Sequence, residues 1–320
     1  MSALAVKGTV RGLSWAVLRV HRPALRFWLA LVVVISALML WAYGPGLDIA
    51  TSRTYCLLTT DNCDTGANWW DRYDQVVALS TLVIAYLPFL VTVWAGATLT
   101  GRELESGTAA LSWTQSVSPV RWLTAKLAVP ALLVTAGTAV LVPLHRLMWK
   151  GGQDYAWAPW YEADVYHADG PVTVAYALCG LAFGALAGLL LRRSLPALGA
   201  AFAALLVVYV LGNQYRPSLW PVVTVTGARA LNPPEDALTL QHGVITTAGI
   251  RIGNNTACVE QSDAAGIKRC MTDSHISDFW VDYHPRSHFW PLQLAESGVV
   301  LALAALTVLA AYAVLRRRTA

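Results

Sequence analysis

Six stretches of the chain are long, apolar and nearly free of charge: residues 27–44, 76–98, 123–144, 171–191, 195–213 and 291–315. A hydrocarbon core about 30 Å thick needs roughly 20 predominantly apolar residues per helix, and each stretch meets that requirement. None alternates apolar with polar positions, as a lipid-facing strand would. A helix satisfies its own backbone hydrogen bonds where lipid offers no partner. The pattern predicts an all-α, multi-pass membrane protein with six transmembrane helices. Composition agrees: 56% of residues are hydrophobic and 13% charged, against about 25% charged in an ordinary soluble domain. The first stretch follows a basic region of 26 residues and ends without a small-x-small site, so it is expected to stay in the protein as a span and not to be cleaved as a signal peptide.

Lys and Arg near the span ends set the orientation. With the N-terminus inside, the cytoplasmic segments hold Lys7, Arg11, Arg19, Arg22 and Arg26, then Arg102, Arg121 and Lys126, then Arg192 and Arg193, then Arg316, Arg317 and Arg318. The acids show the opposite bias. Glu103 and Glu105 fall inside, Glu296 lies at or in the last span, and the rest fall outside. Both termini are therefore expected in the cytoplasm.

The polar pieces divide the chain further. In residues 1–26, Val10, Leu13, Val17, Val20 and Ala24 share one helical face and the basic residues another. This reads as an interfacial helix on an anionic leaflet that Pro23 ends before the first span; the alternative is a charged tail that only sets topology. Residues 27–213 hold five spans. Residues 214–290 read as a small extracytoplasmic α/β domain, with strand-like alternation in "GVITTAGIRIG". Residues 291–320 hold the sixth span and a basic tail. Cys56 and Cys63 in the first outer loop, and Cys258 and Cys270 in the outer domain, are expected to form disulfides in an oxidising exterior, although four cysteines allow three connectivities. Trp69, Trp70, Trp149, Trp157, Trp160, Trp280 and Trp290 flank the spans and read as an aromatic belt. Gly180, Gly184 and Gly188 recur every fourth residue, a helix-packing stripe that serves either this chain or a partner.

Little resembles an active site. No G-x-x-x-x-G-K followed by Ser or Thr is present, so this route to ATP is closed, and no catalytic or metal-binding set emerges. His284 and His288 in "HPRSH" read as interfacial surface and not as a metal site. Glu296 is the one ionisable candidate found within the spans. The apolar run that follows it covers roughly 27 Å at 1.5 Å per residue, so Glu296 sits either at the outer interface or buried in the span, where acids are costly and functional. The segment between the second and third spans is different. Thr100 and Glu103 have capping-box spacing. Leu104, Thr108 and Leu111 share a face, which leaves Glu103 and Glu105 off it and available to a basic partner surface. Spacing alone equally allows a solvated loop helix whose acids merely cap it.

The stretch "LPFLVTVWAGATLTGRELESGTAALSWTQSVSPVRWLTAKL" resembles the region from the second to the third helix of type-2 ATP-binding-cassette (ABC) permeases, particularly actinobacterial ones. Pro88, Gly96, Arg102, Glu103, Glu105, Gly107, Thr108, Trp113, Thr114, Gln115, Ser116, Arg121, Trp122 and Lys126 carry the likeness. "WAVLRVHRPAL" resembles the family's N-terminal segment. "YHPRSHFWPLQLAES" resembles its approach to the last helix, through Tyr283, Pro285, Phe289, Trp290, Gln293 and Glu296. Ser118-Pro119 and His288 depart from the pattern, where a basic pair and an arginine are expected.

The resemblance implies an export permease in a bacterial plasma membrane. Two permease subunits, identical or not, would pair with two separate cytoplasmic ABC ATPases, which hold the ATP and Mg; this chain is expected to carry no cofactor and to bind no nucleic acid. Within the coupling segment 100–122, Arg102, Glu103, Glu105, Gly107 and Thr108 would form a coupling helix seated on the ATPase. Gln293 and Glu296 become candidate functional residues of the last helix. A second reading is a membrane sensor or assembly subunit that uses 214–290 and transports nothing; a third, a membrane enzyme, lacks a convergent polar set.

Overall fold

The structure, a computed structural model, describes residues 19, 22–51, 69–109, 113, 117–152, 158–255, 257–258 and 264–319. The expected N-terminal interfacial helix (apart from 19 and 22–26), Cys56, Cys63, Trp157, Leu111 and Thr114–Ser116 lie outside the described residues. The chain divides into two compact units, one of residues 1–158, 162–211 and 297–320 and one of residues 159–161 and 212–296.

The first unit is helical. Helix α1 spans Arg22–Trp41 and continues through a π-helical turn at Ala42–Gly46. It is followed by α2 (Trp69–Thr98), the short α3 (Gly101–Glu105), α4 (Pro119–Gly151), α5 (Ala163–Ala168), α6 (Val172–Leu191) and α7 (Ser194–Tyr215). The last helix, α9 (Phe289–Thr319), contributes from Ser297 onward. Six helical segments are long and apolar enough to cross a membrane: Arg22–Thr51, Trp70–Glu105, Pro119–Gly151, Val172–Leu191, Ser194–Leu219 and Arg286–Thr319. They coincide with the six apolar stretches but run further at most ends. A sequence window stops at the first polar residue, whereas a helix continues until its hydrogen bonding is terminated.

Helix α6 is apolar around its whole circumference, the mark of a buried helix. Two-thirds of its apolar window is buried, against 11% for the first span. Its glycine stripe packs within the chain, against α2 and the start of α3. A Cβ on Gly184 would stand 2.6 Å from the Ala95 side chain and 2.7 Å from the Gly96 backbone, and one on Gly188 would stand 2.7 Å from the Gly101 backbone. Gly180 meets Thr92 and Pro88 in the same way. Helix α6 ends at Arg192 in the left-handed region, φ +54°, and α7 begins two residues later. Two of the carbonyls left over at its end, on Leu189 and Leu190, accept bonds from the Arg318 guanidinium of α9, a side-chain solution to the orphan acceptors of a helix terminus. Helix α4 starts on Ser118, whose hydroxyl accepts from the Arg121 N–H at 3.4 Å, with Pro119 in its first turn. That is the preferred chemistry of a helix start, and it accounts for the Ser-Pro pair that departs from the family pattern.

The second unit is a four-stranded antiparallel sheet with strand order β1-β4-β2-β3. The strands are β1 (Val223–Thr226), β2 (Leu238–Thr246), β3 (Arg251–Gly253) and β4 (Ile276–His284), with α8 (Ala264–Asp273) packed on β4. The alternation seen in "GVITTAGIRIG" becomes the β2–β3 hairpin, whose turn places Gly249 at φ +79°. Val244, Ile276, Phe279 and Val281 form the core, and a disulfide joins Cys258 to Cys270 on α8.

The aromatic belt needs correction. Trp149, Trp160 and Trp280 are buried against the protein, whereas Trp290 is exposed as the belt reading expects. The Trp160 N–H donates to the Asp236 carbonyl at 2.6 Å, so this indole serves packing within the second unit.

Candidate functional site

Helix α2 ends at Thr98, and the chain turns at Thr100 (φ −128°, ψ −37°) into α3. The capping box expected from Thr100 and Glu103 does not form. The Thr100 hydroxyl donates to the Ala185 carbonyl of α6 at 3.0 Å, and the Glu103 carboxylate turns the other way, toward α4. Its Oε1 accepts from Lys126 Nζ at 2.6 Å and its Oε2 from the Trp122 indole N–H at 3.1 Å. Trp122 and Lys126 are one helical turn apart on α4 and so share a face; the ammonium lies 5.3 Å from the indole centroid. Lys126 is 3% exposed. A buried ammonium requires a paired charge, and Glu103 supplies it.

Glu105 binds a different element. Its Oε2 accepts from the Ser194 N–H at 3.0 Å and the Ser194 hydroxyl at 2.8 Å, at the first residue of α7, where a helix leaves unpaired N–H groups and favours negative charge. Between these two ties, Gly101 is buried and faces both Ser194 and Gly188 across backbone. The segment is therefore held by α4 through Glu103, by α6 through Thr100 and Gly188, and by the α6–α7 turn through Glu105. Gly107 (φ +72°) turns the chain back, with open space where a Cβ would stand. The hydroxyls of Ser106 and Thr108 meet at 2.9 Å and both reach the Glu103 carbonyl, at 3.4 and 3.3 Å. Arg102, Ser106, Gly107 and Thr108 are exposed.

Glu296, which the sequence leaves between interface and interior, is 2% exposed. Its Oε2 accepts from Arg216 Nε at 2.8 Å and its Oε1 from Arg216 Nη2 at 3.5 Å, while Nη2 also donates to Asn213 Oδ1 at 2.6 Å. Gln293, one turn earlier on α9, is fully buried. His284 is also fully buried, not surface. Its Nε2 lies 2.9 Å from the Pro217 carbonyl and donates to it, and its Nδ1 lies 2.9 Å from His288 Nδ1. Among the described residues no group of three or more His, Cys, Asp or Glu could hold a metal.

Sequence reading missed a second buried set. Thr81, His145 and Asp169 are 7%, 0% and 4% exposed. His145 Nε2 lies 2.9 Å from Thr81 Oγ1 and its Nδ1 3.3 Å from Asp169 Oδ1. The Thr81 hydroxyl donates to the Val77 carbonyl at 2.8 Å, which leaves its oxygen to accept from the imidazole. The signal was a single histidine just past residue 144, where the apolar window was closed; α4 continues to Gly151.

A family model described as "ABC-2 membrane transporter related" matches residues 9–216. The chain belongs to that family. It is thus the membrane component of an ABC transporter, a multi-pass permease, and family members of this kind work with a cytoplasmic ABC ATPase. The matched range contains the α3 segment, its partners on α4, α6 and α7, and the His145 set, and it ends at Arg216. No curated protein and no solved structure matches the permease.

Proposed function

We propose that this chain is the translocation subunit of an ATP-driven exporter in a bacterial plasma membrane. A separate ATPase docks on the Arg102–Thr108 segment, and a second permease subunit, identical or related, completes the path. The observation that carries the reading is the three-sided anchoring of α3. A five-residue helix on a free loop could move without consequence, whereas one tied to α4, α6 and the start of α7 cannot be displaced without displacing those helices. That is what a transmission element requires. The distribution of Lys and Arg, including Arg102, Arg121, Arg192, Arg193 and Arg316–Arg318, supports a cytoplasmic location for this end of the bundle. The sheet-containing unit then lies outside, where its disulfide is stable.

Two apolar cavities support a lipophilic or amphipathic cargo. One, of about 280 Å³, is lined by Phe27, Trp28, Leu87, Trp94, Pro130 and their neighbours on α1, α2 and α4. The other, of about 340 Å³, is lined by residues of α4, α6 and α9, with Thr124 and Tyr312 as its polar pair. Ligand sites are concave and mostly apolar with a few polar groups, and these cavities fit that description.

The test is co-purification of the full chain with ABC ATPases from the same genome, followed by ATP hydrolysis and cargo efflux from cells or vesicles. A stable complex whose hydrolysis depends on residues 101–108 is the expected result. Absence of any ATPase complex refutes the reading in favour of a non-transporting membrane subunit.

A further inference from the structure

The two carboxylates of the α3 segment suggest a basic seat on the ATPase, and the geometry points to the opposite. We infer that the ATPase surface receiving this segment is acidic, that Arg102 is the charge it reads, and that Glu103 and Glu105 are positioning residues. The inference rests on the coupling reading above and specifies the partner.

Both oxygens of Glu103 are taken within the chain, by Lys126 at 2.6 Å and Trp122 at 3.1 Å. Glu105 is solvent-exposed, but its Oε2 already accepts two bonds from Ser194 at the start of α7. Each acid's charge is thus matched locally, by a buried ammonium in one case and a helix N-terminus in the other. Arg193 of the α6–α7 turn also lies within electrostatic reach of Glu105; among the described residues no comparable carboxylate answers the remaining cations. Arg102 lies exposed on α3 itself, Arg121 on the first turn of α4, Arg192 on the α6–α7 turn, and Arg316 and Arg317 at the end of α9. Among the described residues of this unit, Glu103 and Glu105 are the acids at this end of the bundle. The face offered to a partner is cationic, and complementary potentials are what steer and register a docking surface. Gly107, with open space around it, lets a partner approach the backbone closely beside Arg102.

The experiment measures the affinity of the detergent-solubilised full chain for each purified ABC ATPase of the same genome. Wild type is expected to bind one of them. Raising salt from about 0.1 M to about 1 M shortens the Debye length from about 10 to about 3 Å and is expected to weaken that binding. Arg102→Glu is expected to raise Kd on the order of tenfold or more, chiefly by slowing association, and Glu105→Gln, which keeps an acceptor for Ser194, to change it no more than about twofold. Glu103→Lys is expected to lose binding along with thermal stability of the permease. The swap Glu103→Lys/Lys126→Glu is expected to recover both, because the pair matters to the fold of the segment and not to the ATPase. If Arg102→Glu binds as well as wild type, or if Glu105→Gln or the stable swap abolishes binding, the acids are the contact and the inference is overturned. If wild type binds no ATPase, the coupling reading itself fails, a separate and recognisable result.

Discussion

Replacing Glu296 by Gln or Leu is the sharpest test of the buried polar interior. Arg216 and Glu296 are 6% and 2% exposed and meet through contacts of 2.8 and 3.5 Å, with Asn213 accepting from the same guanidinium at 2.6 Å. Removing one member of a buried pair strands the other charge and costs about 3–5 kcal/mol. Glu296→Gln keeps an acceptor and should fall near the lower figure, while Glu296→Leu should approach the upper one. Exchanging both residues for apolar ones of similar size is often neutral, so Arg216→Met/Glu296→Leu should restore most of the loss. Both residues belong to the unit of residues 212–296, so the effect should be local. Hydrogen exchange read on peptides covering 212–219 and 289–297 is the suitable assay. A loss of about 3 kcal/mol corresponds to a fall in protection of roughly a hundredfold. A Glu296→Leu variant that exchanges within about threefold of wild type would refute the claim that the pair is closed and buried. A double variant no better than the singles would show that something other than stranded charge dominates.

Four further outcomes are expected. Cys258→Ser opens the loop closed by the Cys258–Cys270 bridge, separated by 12 residues, and should destabilise the sheet unit by about 3 kcal/mol, seen as faster proteolysis of residues 212–296 with little change in helical circular dichroism. Gly184→Leu drives a side chain into Ala95 and Gly96 and should cost at least about 1–3 kcal/mol, read as lower yield of folded protein and a lower Tm; Gly199→Ala, where a Cβ meets nothing, should leave both unchanged. Asp169→Leu leaves His145 without its carboxylate inside the bundle and should lower Tm, and Asp169→Leu/His145→Leu should recover part of it, the sign of a pair that acts as a unit. Trp122→Phe removes the indole N–H from Glu103 while keeping the ring beneath Lys126, and should cost about 1 kcal/mol, measurable as a small Tm shift that Lys126→Met greatly exceeds.

The spans were legible because lipid leaves a helix no alternative and the apolar stretches show it directly. Local chemistry was legible too: the β2–β3 hairpin in "GVITTAGIRIG", the Cys258–Cys270 staple, and the glycine stripe of α6. Partners distant in sequence were not. Glu103 looks like a capping residue by spacing and is an ion-pair residue by contact, because the choice depends on Lys126 lying beside it, 23 positions away. Glu296 could not be assigned to interface or interior without Arg216, 80 positions earlier. His145 was hidden for a further reason. A hydropathy window treats a polar residue as the edge of a span, although a buried polar residue with a partner belongs to its interior. The residues that carried the family likeness included Trp122 and Lys126, so the motif held the right positions without their roles.

Gly96 faces Leu198 and Ala197 backbone, Gly101 faces Ser194 backbone, and Gly188 faces Gly101 backbone. A side chain between two helices acts as a spring: it can change rotamer and absorb a fraction of an ångström. At Gly96 and Gly101 there is no spring, and at Gly188 the one side chain in the gap is the short Thr100 hydroxyl. Backbone bears directly on backbone, at densities where the interior hardly compresses. Under the proposed coupling, a push delivered to α3 would arrive at α6 and at the root of α7 with almost none of its travel lost on the way. The glycines make this end of the bundle stiff, and a larger residue at any of them would add a cushion or a wedge where the proposed coupling needs a hard stop.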